Sequence, residues 1–121
     1  MSRHSYEIEL SGKPYACRTT FEAIQAFEEK ADMSIIEAWN TLAEGKIKFS
    51  IVAIAVWAGI NGERQYQGMK PLIFNTVGQL VQEHGFIEAG IFASKFFASA
   101  LPAKGDKVED AEASTEKKSF E

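Results

Sequence analysis

A chain of 121 residues, 45% hydrophobic and 25% charged, has the length of one domain with a modest hydrophobic core. Its net charge of −4 argues against a nucleic-acid partner, whose phosphates require a basic patch. Its single cysteine, Cys17, excludes an internal disulfide and a multi-cysteine metal centre.

The opening MSRHSYEIEL has no apolar stretch of the secretory kind. Together with the lone cysteine this points to a reducing cytosol. The next segment, SYEIEL, alternates: Tyr6, Ile8 and Leu10 share one face, Glu7 and Glu9 the other. Ser11-Gly12 is a turn signal. With those two residues as the loop, Ile8 pairs with Tyr15 and Tyr6 with Cys17, both on the apolar face. Arg18 falls with Glu7 and Glu9. A two-stranded hairpin is marginal in water, so it must pack on helices. Thr19-Thr20-Phe21-Glu22 is a capping-box pattern opening a helix with Phe21, Ile24 and Phe27 on one face. Asp32 to Ser34 breaks it. Ser34-Ile35-Ile36-Glu37 is a second capping box, followed by Ile35, Trp39 and Leu42 at helical spacing, with Gly45 at a left-handed helix end. A third helix, apolar nearly all round and therefore central, covers Ser50 to Ile60. Its apolar run is about half of the ~20 residues that span a bilayer, so no membrane partner is expected. Asn61 to Pro71 reads as a polar loop. A fourth helix runs from Asn75 to His84, closed by Gly85, and a fifth from Phe86 to Leu101, stopped by Pro102. The pattern predicts an α+β fold, mostly α, with an N-terminal hairpin on about five short helices over residues 1–101. Residues 102–121, with four basic and six acidic side chains, read as a disordered polar tail.

Candidate chemistry is sparse. Cys17 as a nucleophile needs a base, and the histidines are His4, near the terminus, and His84, placed to favour a helix C-terminus. A buried hairpin cysteine is the simpler reading. The two histidines and Cys17 lack zinc-ligand spacing. Glu28 and Glu29 point about 100° apart on a helix and form a solvated face rather than an acid/base pair. Gly59-x-x-Gly62 lacks the strand and the Lys-Ser/Thr of a phosphate loop. Trp39 and Trp57 suit a core, and Lys46 and Lys48 do not make a nucleic-acid patch. No enzyme, cofactor or metal is expected. The last helix is more informative. Projected at 100° per residue, Glu88, Lys95 and Ser99 form a polar stripe, with Phe86, Phe97 and Leu101 opposite as core. Phe92 and Phe96 flank the stripe, and with Ile91 and Lys95 they form a candidate partner surface.

The order of these features carries a resemblance. The residues are Gly12, Lys13, Tyr15, Arg18, Thr20, Phe21, Glu22, Ala23 and Ile24, then Ser34, Ile35, Trp39, Leu42, Gly45, Gly59 and Gly62, then the helix VGQLVQEHG, Val77 to Gly85. Over Tyr6 to Leu101 they are similar to the tail assembly chaperones of long-tailed phages, in the branch shared with gene transfer agents. The resemblance implies a protein that coats the tape measure protein in the host cytoplasm until the tail tube polymerises, then leaves and is absent from the mature virion. The alternative is a structural tail protein retained in the particle. The resemblance also implies a longer form made by frameshifting that recruits tail tube protein; Lys117-Lys118 could be encoded by a slippery heptamer. A homo-oligomer is left open. Gly12, Tyr15, Arg18, Thr19, Phe21, Glu22, Ile24, Ser34, Trp39 and Gly45 are the expected structural motif. Phe92, Phe96, Ile91 and Lys95 are the expected client contacts.

Overall fold

Alternating apolar residues and a two-residue turn produce the first element pair, β1 (Ser5–Leu10) and β2 (Lys13–Arg18). The computed structural model describes residues 4–101. The disorder and slippery-codon readings of the tail lie outside the described residues. The strands are antiparallel with Ile8 opposite Tyr15 and Tyr6 opposite Cys17, the expected register. Ser11 and Gly12 both sit at positive φ, 51° and 77°, as a hairpin turn whose twist matches its strands requires. Ile8, Leu10 and Cys17 are buried and Glu7 and Glu9 exposed, so the alternation sorts the two faces.

Five helices follow: α1 (Phe21–Ala31), α2 (Ile35–Ala43), α3 (Phe49–Tyr66), α4 (Phe74–His84) and α5 (Phe86–Ala100). The fold is α+β and mostly α. The first cap is one residue later than the capping-box reading. Thr20, not Thr19, accepts from the Ala23 amide at 3.0 Å. Thr19 instead turns inward, its hydroxyl 2.5 Å from that of Ser99. Phe21 therefore becomes the first helical residue and stands 69% exposed, while Ala23 and Phe27 are the buried face. The expected stripe of Phe21, Ile24 and Phe27 spans about 120° at 100° per residue. Phe27 is buried, Ile24 packs half-buried against the core and Phe21 is left outside. Glu22 is exposed in the first turn, where its charge suits the helix dipole. The second box is placed as read: Ser34 accepts from the Glu37 amide at 3.0 Å. Glu28 is not part of a solvated face, because its Oε2 accepts from the Ile35 amide at 2.9 Å and ties α1 to the start of α2.

Helix α3 runs through the middle, against α1, α4, α5 and β2, and its apolar segment is buried on nearly every side. It also continues six residues past Ile60, so most of the expected loop is helix. Polarity misled there because Asn61 and Glu63 have partners beyond the helix. Asn61 accepts from the Leu72 amide at 2.8 Å and donates to the Leu72 carbonyl at 3.0 Å. Glu63 meets Arg18 at 2.9 Å. Gly62 lets α3 approach the strand end so closely that an added Cβ would lie 2.1 Å from the Arg18 carbonyl oxygen. The helix ends at Tyr66, and just beyond it the Gly68 and Met69 amides return to the Gln65 and Arg64 carbonyls. Leu101, before Pro102, is extended, as a residue preceding proline prefers.

Candidate functional site: the outer face of the last helix

The core side of α5 is set by Ala89, Ala93, Phe96 and Phe97, all at 0% exposure. Phe96 and Phe97 meet the Phe27 ring at 5.7 and 5.5 Å, and Trp39 closes on Phe97 edge-to-face at 6.1 Å. Phe96 is thus a centre of the core and not a client contact. Phe92 is half-buried with its ring 5.3 Å from that of His84. The His84 Nε2 lies 2.6 Å from Glu88 Oε1, though out of hydrogen-bond alignment. Of the four expected contacts, Ile91 and Lys95 are exposed. Lys95 donates to the Glu7 carbonyl at 3.3 Å.

Ile91, one of the expected contacts, belongs to a surface on the other flank of the helix, whose other residues sequence reasoning missed. Ile87 is 82% exposed and Ile91 54%. Phe86, expected in the core, is 40% exposed, because it is the first residue of α5; its ring rests 5.9 Å from that of Phe49. Between this face and the end of α2 runs an open groove of about 320 Å³, bordered by Leu42, Ile47, Phe86, Ile87 and Ile91. Its far wall is shaped by the α2 terminus. Gly45, at φ 72°, donates to the Leu42 carbonyl at 3.0 Å, and Lys46 donates to that of Thr41 at 2.8 Å. This paired closure is what the expected left-handed Gly45 provides, and it turns Ile47 back towards α5. Comparison with family models, with curated proteins and with solved structures finds no match to this chain.

Cys17, Tyr6, Trp57 and Arg18 are each tied into the fold. Burial pushes the Cys17 thiol up to about 12, which leaves almost no thiolate at neutral pH. Burial, then the neighbouring Cys17, raises the Tyr6 phenol well above its ordinary range. Trp57 donates to the Leu72 carbonyl at 3.1 Å and packs on Phe74. Arg18, expected beside the strand carboxylates, is instead held by α3: it pairs with Glu63 and lies 3.7 Å over the Tyr66 ring. Among the described residues no cluster of three metal-ligating side chains occurs, and no helix is long and apolar enough to cross a membrane. The signal that could have found the groove is Ile87 and Ile91 one turn apart on a helix whose other faces already hold Phe92, Phe96 and Phe97.

Proposed function

We propose that the chain is a tail assembly chaperone of a long-tailed phage or prophage, binding the tape measure protein in the host cytoplasm before the tail tube forms. The observation that carries this is the apolar outer face of α5, with Ile87 and Ile91 exposed beside an open groove. A chaperone that must hold a helix-rich client and later release it needs such a surface, apolar enough to bind and shallow enough to let go. The ordered residues that carry the resemblance build the frame: the hairpin and α1 clasp α3, and α3 supports α5.

Co-expression with the tape measure protein tests the reading. The client should become soluble and co-purify with the wild-type chain, and an Ile87→Ser/Ile91→Ser variant should lose it while staying folded. A client that precipitates beside a soluble wild-type chain removes the chaperone reading. Presence of the chain in purified virions, read by mass spectrometry, would favour a structural tail protein.

A further inference from the structure

Along the outer face of α5, Ile87, Ile91, Ser94 and Ala98 follow one another at separations of four, three and four residues. That is the spacing of a coiled-coil seam, in positions d, a, d and a. At 100° per residue the four fall within an arc of about 60°. Ile87, Ile91 and Ala98 are exposed and Ser94 is half-exposed, so the seam faces outward and not into the core. Glu88 and Lys95 both follow a d position and flank the seam on the same side, and both are exposed. Helix α5 thus carries a core face of Ala89, Ala93, Phe96 and Phe97 and a separate, outward, two-heptad seam.

We propose that the partner of this seam is a second copy of the chain, with the two α5 helices antiparallel. In an antiparallel pair each a layer meets a d layer. Ile91 then meets Ser94 of the other copy, and Ile87 meets Ala98, so every large side chain lies against a small one. The same register brings Glu88 of each copy beside Lys95 of the other, twice by the two-fold symmetry. A parallel pair would stack isoleucine on isoleucine and serine on serine, and would leave Glu88 and Lys95 without each other. Of the two ways of pairing α5 with itself, only the antiparallel one makes size and charge complementarity coincide. The inference does not rest on the chaperone reading. It does add to it: a self-paired α5 keeps Ile87 and Ile91 from water when no client is present.

Sedimentation analysis of the full 121-residue chain tests this over a hundredfold range of concentration, with no client present. The wild-type chain is expected to shift from monomer to dimer with rising concentration. Glu88→Lys and Lys95→Glu, each at an exposed position, should each weaken the dimer by about tenfold, since two attractions become two repulsions. The double variant, with both charges exchanged, should restore it. Circular dichroism of each variant should match the wild type. A wild-type chain that stays monomeric overturns the proposal. So does a dimer indifferent to both single changes, or one the double exchange does not restore. Client capture in the co-expression experiment is read separately, so either reading can fail alone.

Discussion

Glu63 joins two parts of the chain that are far apart in sequence. Burial alone would push its carboxyl up. The hydrogen bonds from Gln67 and Arg18, and the Arg18 charge, outweigh it and hold the carboxyl below the ordinary glutamate range. A carboxyl held low in the folded state contributes stability that is present above its unfolded value, about 4.3, and is lost as pH falls through the folded one. Glu63→Gln should therefore cost about 1–3 kcal/mol at neutral pH, the usual worth of a hydrogen bond to a charged group. The gap from wild type should narrow below pH ~4. Urea unfolding at neutral and acid pH measures both, and a gap that is independent of pH would show that the charge contributes nothing. This contact was not legible in the sequence. Arg18 lies on the strand face with Glu7 and Glu9, and only the extension of α3 through Glu63 supplies a closer partner.

At the scale of elements, local chemistry was legible and boundaries were not. The hairpin register followed from alternation and a two-residue turn, because a slip of one residue would have put Ile8 and Cys17 in water. Ser34 and Gly45 were readable because capping needs a particular residue at a particular place. The first cap went to Thr20 because Thr19 has a competing use, the hydroxyl of Ser99, which is 80 residues away in sequence. The end of α3 was placed too early for a related reason: Asn61, Gly62 and Glu63 look like loop residues until their partners are known. Two helical glycines separate the causes. An alanine Cβ at Gly62 would meet the Arg18 carbonyl, a backbone atom that cannot step aside, whereas at Gly78 it meets nothing within 4 Å. Gly62→Ala should destabilise by about 3 kcal/mol or more through overpacking. Gly78→Ala should stabilise by up to about 1 kcal/mol through helix propensity alone. Thermal melts of the two variants decide it, and equal effects would mean that the close packing of α3 on the strand end carries no cost.

For the whole molecule the question is which face of α5 is inside. Its polar stripe suggested a core centred opposite Glu88, with Phe92 and Phe96 on the shoulder. The packing is rotated from that, because the outward face is itself apolar and polarity cannot tell it from the core. Phe96 is fully buried against Phe27 and Phe97, while Ile87 and Ile91 stand in solvent. Substitutions at the two places should therefore part company. Phe96→Ser removes a buried aromatic from the junction of α1 and α5 and should cost about 3–5 kcal/mol, enough to unfold a marginal domain. Ile87→Ser/Ile91→Ser removes apolar area that folding of the monomer leaves largely exposed, so at concentrations where the chain is monomeric the melting temperature should stay within about 2 °C of wild type. At concentrations where the chain is monomeric, apolar-dye binding to the native state should fall, since those two side chains are part of its exposed apolar surface. A large loss of stability in the isoleucine variant of the monomeric chain would show that this face is covered within the fold itself, and would take the client surface with it.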